Sequence, residues 1–205
     1  MSELESQATN LFYDLKISRS VQENSWKVKQ NNHLDAKTKF IYGSKSLYEL
    51  RLIAESKKLS EEELTYAEHR WRNFKRHDAW LSVICLKWPD VQRASDPRDP
   101  DKDFSMKVLN HRLEFDLKVT RMPKSIPGSL TDRELVLWMY RNQSKESRYH
   151  LRNRLFVVAE NELDLYNFDI AKSAVEKYNE LRDSKLLRIT FNQAEEHAYS
   201  MVIRV

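Results

Sequence analysis

The sequence predicts an α/β or α+β fold: a mixed central sheet of about five strands flanked by helices, with a helical region over 1–88 packed on a core formed by 89–205. Three observations carry this expectation. Residues 101–120 alternate apolar and polar on both sides of a turn. Three short apolar runs, 155–159, 186–191 and 199–205, have strand length. The intervening stretches repeat apolar residues at helical spacing, and two of them open on a capping-box signature.

In chain order, 1–30 reads as helix, with Leu4, Leu11, Phe12, Leu15 and Val21 as a weak stripe. A polar stretch over 30–37 follows. Ser44 or Ser46 caps a helix reaching about Lys57. Ser60, with Glu63 three residues on, opens a helix to about Arg76, and a second apolar segment spans Ala79 to Trp88. Pro89, Pro97 and Pro100 mark 89–102 as a loop. After the hairpin and a loop over 122–128, Thr131 and Glu134 form a second capping box. That helix fills its apolar side with Leu135, Val136, Trp138, Met139 and Tyr140. Leu155–Ala159 is a short buried strand. Residues 162–182 form one helix, whose stripe is Leu165, Phe168, Ala171, Val175, Tyr178 and Leu181. Strands over 186–191 and 199–205 close the chain.

Composition narrows the chemistry. With 40% apolar and 11% aromatic residues in 205, the chain can build a core. Two glycines, and neither GxGxxG nor GxxxxGK[ST], argue against a glycine-rich phosphate loop. The net charge of +4 permits nucleic-acid binding without requiring it. Cys85 is alone, so an internal disulfide and a cysteine-rich zinc site are excluded, and its apolar neighbours mark it as a small buried residue. The six histidines form no HxxxH or HxH pair, which argues against a zinc enzyme. The N-terminus is acidic and polar, and no apolar run reaches membrane-spanning length. The expectation is a cytoplasmic protein without membrane association.

The hairpin carries the chemistry. A turn at Asn110-His111 sets Phe104 opposite Leu117, Met106 opposite Phe115 and Val108 opposite Leu113, all apolar. The other face pairs Asp103 with Lys118, Ser105 with Asp116 and Lys107 with Glu114, at Cβ separations of about 4.5–5.5 Å. Phosphodiester hydrolysis needs a divalent ion to activate water and neutralise charge, and Mg²⁺ takes one or two carboxylates and keeps several waters. Asp103 and Asp116 are the carboxylates for such an ion, with the backbone carbonyl of Leu117 as a further ligand. Lys118 would orient the attacking water or stabilise developing charge, and Glu114 would stand one step back as a second-site or outer ligand. The plain alternative is a charged outer face in which Asp103 and Lys118 form an ordinary cross-strand ion pair. Spacing alone favours this plainer arrangement.

Glu114-Phe-Asp116-Leu-Lys118-Val-Thr120, after an acidic strand start, resembles the PD-(D/E)xK nucleases, the restriction-endonuclease-like superfamily. The resemblance covers about residues 98–160, including the helix after the triad and the strand Asn153-Arg-Leu-Phe-Val-Val158. It implies a restriction-endonuclease-like fold and a Mg²⁺-dependent nuclease acting on DNA, with Mn²⁺ as a substitute and Asp116 and Lys118 as the triad residues. For the first acid, Asp101 and Asp90 match the letters of the motif and Asp103 matches the geometry; Asp103 is preferred. A first-helix acid, Glu62, Glu63 or Glu68, would approach the metal. Gln143, on the helix after the triad, would lie near the scissile phosphate. The same fold without hydrolytic activity would instead bind nucleic acid or a protein partner, and a homodimer is open because nucleases that cut both strands often pair.

Two further segments bear on nucleic acid. Residues 140–154 are dense in Arg and amide side chains, which suit phosphate and base edges. Arg148 and Arg152 are the candidate phosphate clamps, with Arg154 beside them. An equal reading is a solvated helix end. In His69-Arg-Trp-Arg-Asn-Phe-Lys-Arg-His77, basic residues alternate with Trp71 and Phe74. A helix with apolar residues inward and basic residues outward is the favoured reading there. His111, at the turn, is expected to be exposed.

Overall fold

The computed structural model describes residues 2–19, 32–96, 102–108, 110–123, 126, 130–143, 152–190 and 197–205. It is an α+β structure built on a six-stranded mixed sheet. The strands are β1 (Gln92–Arg93), β2 (Phe104–Val108), β3 (His111–Arg121), β4 (Arg154–Ala159), β5 (Leu187–Thr190) and β6 (His197–Arg204), in the spatial order β1-β2-β3-β4-β6-β5. β1, β2 and β3 form an antiparallel meander. β4 lies parallel to both β3 and β6, and β5 returns antiparallel on β6.

The helices are α1 (Glu3–Arg19), α2 (Asn32–Lys37), α3 (Leu47–Ser56), α4 (Glu61–Lys87), α5 (Asp132–Gln143), α6 (Phe168–Asn179) and α7 (Arg182–Lys185). Ser46, not Ser44, caps α3, accepting from Glu49 N–H; Ser44 is buried and turned to Phe40 O. The Ser60/Glu63 capping box is complete, and Thr131 and Glu134 exchange the reciprocal bonds of the second. Each satisfies two donors that the first helical turn cannot pair internally.

Five expectations about the elements change. The segments 60–76 and 79–88 are one continuous helix, α4, because no Gly or Pro interrupts it and its last turns carry a buried stripe of Ala79, Trp80, Val83 and Ile84. Residues 162–182 are not one helix: a 3-10 turn over Glu162–Tyr166 precedes α6. Asn167 divides them, because its Oδ1 accepts from Asp169 and Ile170 N–H and caps α6 afresh. The loop 89–102 contains β1, and the polar stretch before Thr38 contains α2. In α1 the buried residues are Ala8, Phe12 and Leu15, while Leu4 is exposed.

The sheet is covered on both faces. One face carries Phe104, Met106, Phe115, Leu117, Leu155, Val157, Met201 and Ile203, packed in a single core with α1, α4 and α6. The other carries Phe156, Val158, Ile189, Ala198 and Val202 under Leu135, Val136, Met139 and Tyr140 of α5. β4 is central and buried on both sides, so it reads as a continuous apolar run rather than an alternation. Asp116 and Lys118 alternate with Phe115 and Leu117 and so share the α5 face. Among the described residues no helix is long and apolar enough to cross a membrane.

Candidate active site

The hairpin turns one position earlier than the sequence suggests. Val108 pairs with His111, and Asn110 takes a positive φ of 67°, a conformation Asn tolerates better than most residues. Partners on β3 therefore shift by two, which preserves the faces. Phe104 lies opposite Phe115, Met106 opposite Leu113, Ser105 opposite Glu114 and Lys107 opposite Arg112. The consequence falls on Asp103, just outside β2. Its N–H donates to Phe115 O at 2.8 Å and its Oδ2 accepts Leu117 N–H at 2.7 Å. The expected partnership of Asp103 with Lys118 is thus replaced by a carboxylate pair, in which the charge of Asp103 acts on Asp116.

Asp116 is 6% exposed and held by two cations. Lys118 Nζ lies 2.9 Å from its Oδ1, and Arg154 Nε, from the β4 position directly beside Asp116, lies 3.3 Å from its Oδ2. The Arg154 guanidinium sits 4.7 Å over the Tyr140 ring. Tyr140 in turn donates to Arg152 O and shares a bond with Ser200 Oγ, and burial pushes its phenol up to about 12. The Arg154 guanidinium, stacked on the Tyr140 ring, fixes the direction of the Asp116 carboxylate.

From the opposite side α4 closes the edge of β3. β2 leaves β3 at Asp103, so the carbonyls beyond have no strand partner there. His77 Nε2 donates to Leu117 O at 2.9 Å and lies 3.2 Å from Asp103 Oδ2; Arg76 Nη2 donates to Val119 O at 3.3 Å. These side chains stand in for the missing neighbour strand.

The two carboxylates are pushed apart. Burial raises the Asp116 pKa, the neighbouring charge of Asp103 adds to it, and Lys118 and Arg154 only partly offset this. Burial also acts on Asp103, but hydrogen bonding and charge from His77, the Leu117 N–H and Asp116 outweigh it and leave its pKa lowered. A close pair of acids with separated affinities for protons is a common arrangement where a cation or proton is to be exchanged. Asp103 and Asp116 are the residues that could hold a divalent ion. Two carboxylates suffice for Mg²⁺, which keeps its waters; Leu117 O faces the same notch but is engaged by His77. Among the described residues no three His, Cys, Asp or Glu side chains converge as a metal-holding group.

The other expected site residues scatter. Glu114 is exposed and paired with Lys102 at 2.8 Å. Gln143 ends α5, and its side chain lies outside what is described; Arg148 and Asp101 lie outside the described residues altogether. Arg152 precedes β4, contributing its carbonyl to Tyr140. Asp90 is not at the site: it accepts from Lys107 N–H and Arg182 and ties the hairpin to the start of α7. Of the helical acids, Glu62 is in the first turn of α4, Glu63 is spent on the capping box and Lys37, and Glu68 is buried between Arg51 and Arg72. The α4 side chain that reaches the carboxylates is His77. Cys85 is half-buried, and burial raises its thiol, which makes it a poor nucleophile.

His77, Arg154 as partner of Asp116, and the bracing Tyr140 have no signal in local sequence, because their roles arise from pairing between segments far apart in the chain. A cleft of about 370 Å³ opens beside Asp103 and His77, lined also by Tyr42, Phe74, Lys75 and Arg93. No protein-family model, curated protein or solved structure matches the chain.

Proposed function

We propose that the chain is a metal-dependent nuclease of the PD-(D/E)xK type that hydrolyses phosphodiester bonds, with DNA as the favoured substrate and Mg²⁺ as the ion. The observation that carries this reading is the convergence of Asp103, Asp116 and Lys118 at the open end of the β2–β3 hairpin. The hairpin is followed by helix α5 and by β4 parallel to β3, the order of elements on which the resemblance rests.

Asp103 and Asp116 would hold the ion, which supplies positive charge to the scissile phosphate and its leaving oxygen. Lys118, 42% exposed at its side chain while bonded to Asp116, is free on its outer side to meet the attacking water or a phosphate oxygen. Arg154, 11% exposed at its side chain, stays behind Asp116 and fixes the carboxylate's direction rather than meeting substrate. An ion held by Asp103 and Asp116 would offset the penalty that burial and Asp103 impose on the ionised form of Asp116.

A second reading, a nuclease-like fold without hydrolytic activity that binds nucleic acid or a protein, draws on one observation: the notch is already engaged, with His77 on Leu117 O and Lys118 and Arg154 paired with Asp116. The deciding experiment is calorimetric titration of Mg²⁺ and Mn²⁺ into wild type and Asp116→Ala, alongside cleavage of plasmid and single-stranded DNA. The nuclease reading expects metal binding and cleavage in wild type, and loss of both in Asp116→Ala. Lys118→Ala should keep metal binding and lose cleavage. Cleavage retained by pure Asp116→Ala would refute the site. Absence of binding and cleavage in wild type would favour the second reading.

A further inference from the structure

The cleft beside the carboxylates is built unlike a passive groove. At its outer end Tyr42 and Phe74 stand edge to face, centroids 5.0 Å apart at 89°. Tyr42 is 43% exposed, yet its ring is fixed. Arg70 donates to its hydroxyl at 3.1 Å and lies 5.7 Å from its centroid. Arg70 is itself anchored to Asp35 O at 2.9 Å and Thr38 Oγ1 at 2.6 Å. The Lys75 ammonium lies 5.7 Å from the Phe74 centroid, at the cleft wall. At the inner end are Asp103 and His77. The volume, about 370 Å³, lies near the lower bound of ligand-sized pockets, roughly 300–1,000 Å³.

We infer that this cleft is a nucleobase subsite: Tyr42 and Phe74 receive one unstacked base of the substrate strand while Lys75 meets its phosphate, so that the substrate is single-stranded. The inference rests on the nuclease reading, since Asp103 lines the same cleft. A flat π-face fits a fixed aromatic wall, a cation beside the wall suits the phosphate attached to that base, and neither element reads sequence. A base paired and stacked within a duplex does not present its face to a wall, so the subsite selects for an unpaired strand. Arg93 lines the cleft too, but its charge is committed to Asp78 at 2.6 Å, which leaves the phosphate contact to Lys75.

The test is fluorescence anisotropy of the full-length protein, in chelator to prevent turnover, with labelled oligothymidylate and an abasic strand of the same length and charge. Wild type should bind the base-bearing strand roughly 5- to 100-fold more tightly than the abasic one. Tyr42→Ala should erase that preference and Tyr42→Phe should keep it. The abasic comparison on wild type does not depend on how a variant folds. Equal affinity of wild type for both strands, with DNA still cleaved, would overturn the subsite and leave the nuclease reading standing. No binding of either strand together with no cleavage of any DNA would overturn both.

Discussion

His77→Ala tests the notch between α4 and β3 most directly. Leu117 is fully buried, and beyond Asp103 its carbonyl has no strand partner; His77 Nε2 at 2.9 Å satisfies it. Removing the imidazole leaves that carbonyl unpaired, which costs about 1–3 kcal/mol. Asp103 keeps its bond from Leu117 N–H but loses the hydrogen bond and charge of His77, which adds to the loss. For a chain of this length each kcal/mol moves the melting temperature by about 2–4 °C, so scanning calorimetry in chelator should find a drop of about 2–12 °C. His77→Gln, whose amide can still donate, should recover part of it. Added Mg²⁺ gives a second readout. If Mg²⁺ takes Leu117 O as a ligand, it would compete with His77 in wild type, whereas His77→Ala would leave that oxygen open. Mg²⁺ should therefore stabilise the variant more than wild type. A melting temperature within about 1 °C of wild type in chelator would show that the His77 bond carries no weight. A Mg²⁺ effect no larger in the variant would remove Leu117 O from the ligand set.

Three other outcomes follow from the same geometry. Because the Asp116 pKa is raised on folding, its stabilising contribution is complete below the ordinary carboxylate range near pH 4 and is lost as pH rises through its folded pKa. Asp116→Asn, which cannot ionise, should thus melt higher than wild type at neutral pH in chelator, the difference vanishing in acid. Asp103, whose pKa is lowered, contributes stability above the ordinary range that disappears as pH falls through its folded pKa, so Asp103→Asn should melt lower than wild type at neutral pH; the same sign for both variants would contradict the assigned charge states. Glu68→Ala strips buried Arg72 of its carboxylate at 3.2 Å and should cost about 3–5 kcal/mol in urea unfolding while leaving Mg²⁺ titration unchanged, which separates Glu68 from the metal.

Much of this architecture is legible in the chain because it is set by local rules. Period-two alternation marks β2 and β3, apolar runs of strand length mark β4 and β6, and Ser60 with Glu63 announces the start of α4 through two backbone donors that need partners. The misplaced boundaries have equally local causes. Asn167 caps α6 in the middle of an unbroken apolar stripe, and the turn expected at Asn110-His111 falls one position earlier, with Asn110 at positive φ and His111 paired to Val108.

The site divides differently. The sequence by itself determined that Asp103, Asp116 and Lys118 share a sheet face, because alternation decides faces and a register shift of two leaves them intact. Only the tertiary structure decided what those side chains meet. The register brings Asp103 to Asp116 instead of Lys118, the parallel pairing of β3 with β4 brings Arg154 beside Asp116 from 38 positions along the chain, and the packing of α4 brings His77 to Leu117 O from 40. Such contacts depend on strand order and helix placement, which are properties of the whole core, and no spacing within one segment encodes them.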